Sequence, residues 1–415
     1  MKETQQMGRN SASVDQTASG GASLAWLLHP VDTGIFLREY WDQRPLFIDR
    51  GNSRYHDSLP GLAEVDGLLS TGVYSADRLD GRLMQTGPDG AVSRRAFSIT
   101  AEGRLDLHDV YEAYDSGYTV ILNRIESRSA VLGALCRRLE EDLNHRVGAN
   151  LYLTPAGTQG ANPHIDSHDV LLVQIHGSKT WRVSAESIKR NRAGADPGQR
   201  IELGEHDEWT LVEGDALYIP HGFVHAGVTH DTSSLHITFG FNVLTWADLL
   251  TETLDRIASS SEELQRPLPL GHLGKPIDEN TVTMLQNQLI SALTKEELRA
   301  AQLSLGSKLL ARHTSSTGHF PSLDAVAALD LETRVGRGFE GPHRFRVAEE
   351  RLTCEFPGNF VTVPASLAPA LRYALSRPTF RVGELPGGLS ERQRIDFIAR
   401  LIRDGLLAVF ESERG

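Results

Sequence analysis

Apolar residues recur with helical spacing at both ends of the chain and with strand spacing in its middle. Between residues 24 and 50 the pattern predicts a helix that ends before Pro45, followed by a strand at residues 46–48. Residues 106–145 predict mainly helix. The apolar stripe of that region consists of Leu132, Leu135, Cys136 and Leu139.

From about residue 149 to residue 243, short β-rich runs are separated by Gly, Pro, Asn and Asp. Many short strands with turn residues between them are typical of an antiparallel barrel or sandwich. The runs in question are 150–153, 170–175, 180–183, 216–219 and 235–239.

The chain becomes helical again after residue 243. Thr245 with Asp248 predicts a capped helix start, and Thr294 with Glu297 predicts another. Near the C-terminus, a capping box at Ser390 opens a helix that is followed by Gly405 and the apolar run 406–410. Helix, glycine and strand in this order predict the end of a winged-helix unit.

Length and composition restrict the class of protein. A chain of 415 residues with 40% hydrophobic residues predicts two or three globular domains. No apolar run reaches the roughly 18 residues that a membrane span needs, and the polar residues 1–23 predict a disordered tail. Two cysteines exclude a disulfide scaffold and indicate a reducing cytoplasm.

Charge argues against nucleic-acid binding, because the net charge is −12. The stretch from residue 331 to the end has 13 Arg, no Lys and 11 acidic residues, so it offers no basic face. An acidic protein attracts basic or neutral substrates instead.

The motif that carries chemistry is Pro163-His164-Ile165-Asp166, with His225 placed 59 residues after Asp166. Side chains two apart on an extended segment point to one face. A histidine from a second strand completes two imidazoles and one carboxylate, the facial triad of non-haem Fe(II) oxygenases, which leaves coordination positions open.

Two alternatives remain beside this interpretation. The chain has 16 histidines, so the pattern can also arise from structural histidines, and His221 competes with His225 as the third ligand. Other residues near the motif are His168, Asp169, His230 and His236.

Lys179 follows His164 by 15 residues, just after a glycine turn. The chain uses only six lysines among 42 basic residues, so a lysine here suggests a specific task. Its compact charge suits the far carboxylate of an anionic co-substrate chelating the metal. The alternative is an exposed lysine at a β-turn.

The run from Asn150 to Gly160, the motif around His164, and the run from Leu172 to Trp181 resemble the JmjC-type 2-oxoglutarate oxygenases. Within them the chain is most similar to the ribosomal oxygenase (cupin-4) subfamily. Residues 36–41 and 44–48 also resemble the N-terminal helix and strand of that subfamily.

The resemblance implies an α+β fold with a double-stranded β-helix (cupin/JmjC jelly-roll) core. It implies a catalytic domain at 24–245, a helical dimerisation segment at 246–330 and a winged-helix-like domain at 331–415, and hence a homodimer.

The resemblance also implies the site. Fe(II) would be bound by His164, Asp166 and His225. The co-substrate 2-oxoglutarate would be held by Lys179, and O₂ would be consumed with it. Further co-substrate contacts are implied for Tyr152, Asn150 and Thr238.

The implied activity is hydroxylation of an unactivated C–H bond on a peptidyl side chain, with the β-carbon of His first and Arg second. The target lies in a ribosomal protein or in a natural-product precursor peptide, and no motif separates the two. The alternatives are a non-catalytic cupin that binds a metal or ligand as a scaffold, and a JmjC demethylase.

Overall fold

The computed structural model describes residues 22–75, 78–87, 89–188, 201–312 and 318–410. Most of the predicted tail lies outside these ranges; of its residues, Ser23 is the N-cap of the first helix. The N-terminal elements are α1 Leu24–Leu28, α2 Thr33–Glu39, β1 Leu46–Ile48, α3 Val65–Ser70, β2 Tyr74–Ser75, β3 Arg78–Leu79, β4 Gly81–Thr86, β5 Val92–Arg95, α4 Leu107–Asp115, β6 Thr119–Leu122 and α5 Ala130–Leu143.

The described part of the predicted β-rich region forms seven strands, and all strand pairs in the two sheets they build are antiparallel. The large sheet has the order β1-β11-β8-β13-β7-β6-β4-β5, and the small sheet has the order β10-β9-β12. The seven strands are β7 Arg146–Thr154, β8 Asp169–Gly177, β9 Lys179–Ser187, β10 His206–Leu211, β11 Ala216–Ile219, β12 Phe223–Val228 and β13 Ser234–Asn242.

The two sheets face each other, because one apolar cluster contains side chains from both. Leu172 and Leu217 of the large sheet share it with Trp181 and Val183 of the small sheet. The other face of the large sheet packs against α1 and α5 in a separate core. Alternating burial thus gives the large sheet a barrel face and a helix face, which confirms the predicted α+β fold with its antiparallel core.

Two local predictions need correction. The single helix predicted in residues 24–50 is two short helices, with Pro30 between α1 and α2, because proline interrupts helical hydrogen bonding. The helical prediction for 106–145 missed β6, whose four residues are all buried and extend the large sheet.

The helical region follows β13 with α6 Trp246–Ser260, α7 Glu279–Ala292 and α8 Lys295–Ala311. The predicted capping box of α6 is confirmed. At α8, Thr294 caps the backbone of Glu297, but the Glu297 carboxylate accepts a hydrogen bond from Arg256 at 3.2 Å instead of closing a box. No residue of α7 is buried.

The C-terminal part has its own apolar cluster. The predicted capping box at Ser390 and the strand after Gly405 are confirmed; assignment to the winged-helix class stays a prediction. Its elements are α9 Phe320–Asp324, β14 Arg334–Arg337, β15 Arg344–Ala348, β16 Arg351–Phe356, β17 Asn359–Pro364, α10 Ala368–Ser376, β18 Thr379–Arg381, α11 Glu391–Arg403 and β19 Leu407–Phe410.

Candidate metal centre

His164 and His225 are joined through their backbones. His164 N–H donates to the carbonyl of His225 at 3.1 Å, and His225 N–H donates to the carbonyl of His164 at 2.9 Å. His164 lies on the segment between β7 and β8, while His225 lies on β12. Two distant parts of the chain are therefore held side by side in one register.

Asp166 completes a compact group of donors. Ligand atoms of His164, Asp166 and His225 all lie within 4.8 Å of one another. His225 Nε2 is 3.5 Å from Asp166 Oδ2, and His164 Nε2 is 3.8 Å from Asp166 Oδ1.

Each imidazole is oriented by its other ring nitrogen. His164 Nδ1 lies 2.8 Å from the carbonyl of Asn162, and His225 Nδ1 lies 3.1 Å from the carbonyl of Phe223. A donor contact at Nδ1 leaves Nε2 as the free lone pair, which is the state that a metal ligand needs.

The electrostatics of the three residues are coupled. Burial lowers the pKa of His164, and the neighbouring His225 lowers it further. Burial also opposes the charged form of His225, but contact with Asp166 raises the pKa of His225 above its usual value. Despite burial, the two histidines hold the pKa of the Asp166 carboxyl well below its usual range. The carboxylate is therefore ionised at neutral pH and ready for a cation.

Three of the competing residues, Asp169, His221 and His230, make other contacts. Asp169 accepts hydrogen bonds from Tyr218 Oη at 2.7 Å and from the backbone of His221 at 3.0 Å. His230 Nε2 lies 3.0 Å from a threonine hydroxyl on β9. Among the described residues, the group that could hold a metal includes His225 and not His221.

Lys179 is buried inside the barrel, with 3% of its surface exposed. Its Nζ donates to Thr154 Oγ1 at 3.1 Å and lies 5.2 Å from the ring centroid of Trp181. No carboxylate of the described residues pairs with it, and burial lowers the pKa of Lys179 to about 7. The turn-lysine alternative is wrong, because this ammonium points into the interior.

Two glycines make room for this lysine. A Cβ on Gly160 would lie 2.7 Å from Lys179 Nζ, and a Cβ on Gly227 would lie 2.8 Å from Lys179 Cε. The two glycines are joined by a backbone hydrogen bond of 3.0 Å. Any larger residue would displace the ammonium.

Tyr152, Asn150 and Thr238 lie on the barrel face of β7 and β13, where Thr238 is paired with Asn150. The side-chain Oδ1 of Asn150 accepts a hydrogen bond from the backbone N–H of Arg124 at 3.0 Å, so part of that side chain holds the local fold. Burial, then the charge of Asp166, raises the pKa of Tyr152 to about 12, against the opposing charge of Arg82.

Sequence reasoning missed Thr154 and left His236 as a mere neighbour of the motif. His236 stacks on Tyr152 with ring centroids 4.9 Å apart and meets Trp181 edge-on at 5.3 Å. The Nδ1 of His236 and the Nε1 of Trp181 are buried without a hydrogen-bond partner. Period-two alternation from Tyr152 to Thr154 and from Thr238 to His236 was the available signal.

These residues fit an Fe(II) ion and an anionic co-substrate. Two imidazoles and one carboxylate match the donor set of a facial triad. The buried ammonium of Lys179 has no carboxylate partner among the described residues, and the two nearby ring nitrogens of His236 and Trp181 lack hydrogen-bond partners, so the pocket is chemically complementary to a small dicarboxylate.

Known proteins resemble this chain in sequence and in fold. The family model described as JmjC domain matches residues 128–249. Ribosomal oxygenase 1 of Danio rerio is 32% identical over 259 residues, covering 60% of this chain and 46% of that protein. The bifunctional lysine-specific demethylase and histidyl-hydroxylase NO66 of Drosophila melanogaster is 30% identical over 284 residues, covering 65% and 42%.

The chain thus spans less than half the length of these two relatives. Among solved structures, Escherichia coli ribosomal oxygenase YcfD superposes with a TM-score of 0.57 at 19% identity, covering 92% of this chain and 98% of that one. Its complex with cobalt and 2-oxoglutarate superposes with a TM-score of 0.57 at 18% identity, covering 92% and 99%. Residues 128–249 therefore match the JmjC domain family, and the chain resembles the ribosomal oxygenases in sequence and in fold.

Proposed function

We propose that this protein is an Fe(II)- and 2-oxoglutarate-dependent oxygenase that hydroxylates a side chain presented on a peptide or protein. The observation that carries the proposal is a three-residue donor set in the same barrel as a buried lysine that has no carboxylate partner among the described residues. A cluster of structural histidines would not require a buried lysine beside it.

Each residue has a defined task in this proposal. His164, Asp166 and His225 would hold the metal, since two imidazoles and one carboxylate are the donor set of a facial triad. Lys179 neutralises the far carboxylate of 2-oxoglutarate, and Thr154 orients the ammonium. Tyr152, Asn150 and Thr238 line the barrel face beside it. When bound, the iron supplies oxidative chemistry with O₂ that no side chain can perform.

The barrel interior excludes water from the co-substrate. Trp181 and its apolar neighbours pack between the two sheets beneath Lys179. The absence of competing water strengthens the attraction between the ammonium and a carboxylate. The protein therefore contributes orientation, charge neutralisation and a dry cavity.

The experiment for this proposal uses purified protein without oxygen. Addition of Fe(II) and then 2-oxoglutarate should produce a weak visible charge-transfer band, and Asp166→Ala should abolish it. A non-catalytic scaffold that binds only the metal predicts no band that depends on 2-oxoglutarate. Absence of the band in wild-type protein would contradict the proposal.

The finer proposal concerns the target atom. We propose the β-carbon of His as first choice, with Arg second; the relative from Drosophila melanogaster is named a histidyl-hydroxylase, which supports a histidine side chain. Succinate release should rise with a histidine-containing peptide, and the peptide should gain one oxygen atom. Stimulation by free amino acids alone would refute a peptidyl substrate. Comparing wild-type and knockout cells by mass spectrometry would identify a ribosomal protein or a precursor peptide as the target.

A demethylase is the second candidate, since the same relative is also named a lysine-specific demethylase. The two activities separate by product. Demethylation of a methyl-lysine peptide releases formaldehyde and lowers the peptide mass, whereas hydroxylation raises the mass and releases none.

We propose a homodimer as the assembly. Several apolar side chains of the helical region are exposed in the single chain, and α7 buries none of its residues. The exposed set includes Trp246, Leu268, Leu270, Leu273 and Ile290.

Among the described residues, no helix is both long and apolar enough to cross a bilayer.

A further inference from the structure

The barrel face of the large sheet continues past the metal centre onto β4 and β5. Arg82 of β4 is paired with Ile121 of β6, and Ile121 is paired with Tyr152 of β7. Residues paired across strands point to the same face. Arg82 therefore lies in one cross-strand row with Tyr152, two strands away from it in the large sheet.

A second arginine lies beside it on the same face. Arg94 of β5 is paired with Met84, two residues along β4 from Arg82. The intervening residues face the other way: Leu83 is buried in the helix-side core, and Arg95 bonds a carboxylate of α4 at 2.7 Å. Arg82 and Arg94 are thus diagonal neighbours, with a separation of about 7–8 Å.

Neither cation has a counter-charge within the part of the chain that the structure describes. Arg82 Nε is buried and has no acceptor, and the guanidinium makes no ion pair or hydrogen bond there. Other arginines of this sheet region differ: Arg124 pairs with Asp80, and Arg128 donates to three backbone carbonyls. Two neighbouring like charges, one half-buried, are unfavourable unless an anion lies between them.

A cleft lies at the end of β4, the strand that carries Arg82, and beside residues 157–159, which precede His164 in the chain. The cleft has a volume of about 290 Å³ and is lined by residues 85–87, Gly117, 157–159 and Val228. Asn162 Nδ2 donates to the carbonyl of Gly90 at 2.7 Å, which ties the segment carrying His164 to the β4–β5 turn. Arg82 itself lies close enough to Tyr152 for its charge to oppose the raised pKa of that residue, so the arginine row borders the pocket of the metal centre.

We propose that Arg82 and Arg94 together bind a carboxylate of the substrate, so that the hydroxylated side chain is followed or preceded closely by an acidic group. The guanidinium fork matches a carboxylate in a bidentate manner. The inference rests on the proposed function, because it names the class of peptide used by that site. The net charge of −12 acts at long range, while contact recognition depends on these two local cations.

The test is a binding measurement without oxygen, so it does not depend on turnover. Short fluorescent peptides with a central histidine carry Asp or its isostere Asn at each neighbouring position in turn, and each is made with a free or an amidated C-terminus. We expect Asp at one position, or the free terminus, to tighten binding by about tenfold, since charge-assisted hydrogen bonds are the stronger ones. The two arms separate a side-chain carboxylate from a terminal one.

Variants assign the preference to the two arginines. Arg82→Met and Arg94→Met should each remove most of it, Arg82→Lys should retain part, and Arg104→Met, at an exposed turn, should leave it unchanged. Circular dichroism checks that each variant is folded. Equal binding of Asp and Asn peptides by wild-type protein, a preference that survives the double variant, or tighter binding of a short RNA than of the acidic peptide would overturn the inference.

The outcome is separable from the proposed function. A normal 2-oxoglutarate band together with equal binding of Asp and Asn peptides would reject only the carboxylate site. A preference for Asp without any band would support the site and reject the oxygenase proposal.

Discussion

At the scale of single residues, the three donors differ from their competitors in what they contact. Asp166 has no partner other than the two imidazoles among the contacts described, whereas Asp169 is occupied by a tyrosine and a backbone N–H. Because His164 and Asp166 are only half-buried, their removal costs little packing. If these residues bind a metal, their removal should abolish activity and leave stability nearly unchanged. If they are structural, their removal should lower stability.

We expect His164→Ala and Asp166→Ala each to abolish turnover and Fe(II) binding. The free energy of unfolding of the metal-free protein should change by no more than about 1 kcal/mol, because no core contact is lost. Metal titration and chemical denaturation measure the two effects. His221→Ala should be far milder than His225→Ala in turnover, and the reverse order would identify His221 as the third ligand.

For Lys179→Ala we expect weaker 2-oxoglutarate binding. Removing one partner of a buried ion pair costs about 3–5 kcal/mol. At about 1.4 kcal/mol per decade, KM for 2-oxoglutarate should rise by roughly 10²-fold or more. Steady-state kinetics with varied 2-oxoglutarate give this value, and an unchanged KM would place the anchor elsewhere.

The pH dependence of co-substrate binding provides a separate prediction. Burial lowers the pKa of Lys179 to about 7, so in the free enzyme the ammonium is charged below pH 7 and neutral above it. A carboxylate needs the charged form, so binding above pH 7 must take up a proton. The Kd of 2-oxoglutarate should be flat below that pH and rise by about tenfold per pH unit above it.

Calorimetry on metal-loaded protein in buffers of different ionisation enthalpy measures both the Kd and the proton uptake. Lys179→Arg is the matched control, because arginine stays charged throughout this range and should show no slope. A wild-type Kd that is constant up to pH 8.5 would contradict the lowered pKa.

At the scale of the elements, the local sequence pattern predicted where strands form but not which strands pair with each other. The β7 strand and the H-x-D motif could be predicted from the sequence, because period-two alternation and turn residues are local signals. The sequence did not predict that β4 and β5 extend the same barrel face. Arg82 precedes Ile121 by 39 positions, and only strand pairing brings them into one row. The arginine pair therefore required the structure.

Strand β12 also positions the co-substrate lysine through a residue without a side chain. We expect Gly227→Ala to destabilise the protein by about 1–3 kcal/mol, as overpacking of a core does, because its Cβ would meet Lys179 Cε at 2.8 Å and the Trp181 ring at 3.1 Å. The Kd of 2-oxoglutarate should rise as the ammonium is displaced. Denaturation and calorimetry measure the two quantities.

Gly274→Ala is the control for this substitution, since its nearest neighbour would be 3.9 Å away. That change should alter the free energy of unfolding by less than about 0.5 kcal/mol. Wild-type stability and 2-oxoglutarate affinity in Gly227→Ala would show that the barrel has room around Lys179 that the structure does not indicate.

At the scale of the whole molecule, ion pairs link the C-terminal part to the helix-side core. Arg337 donates to both carboxylate oxygens of Glu141 on α5, at 2.7 and 3.2 Å, and Glu340 accepts from Arg137 and Arg138 of the same helix. The start of α6 and the start of α11 could be predicted, because each has a capping box in the local sequence. The ion pairs between Arg337 and Glu141 and between Glu340 and α5 join residues about 200 positions apart, and the sequence contains no local signal for them.

The apolar surface of α7 gives the last prediction, which concerns assembly. Ile290 is 67% exposed in the single chain, and Leu270, in the segment before α7, is fully exposed. Both should be covered by a second copy, since most soluble oligomers are closed two-fold pairs.

Light scattering at micromolar concentration should give the dimer mass, and Ile290→Asp should give a folded monomer. Because Ile290 makes little contact within its own chain, this substitution should leave the unfolding free energy of the monomer unchanged within about 0.5 kcal/mol. Ser291→Asp, next to it on the same helix, controls for added charge. A monomer in wild-type protein would leave this apolar face to another partner and refute the dimer.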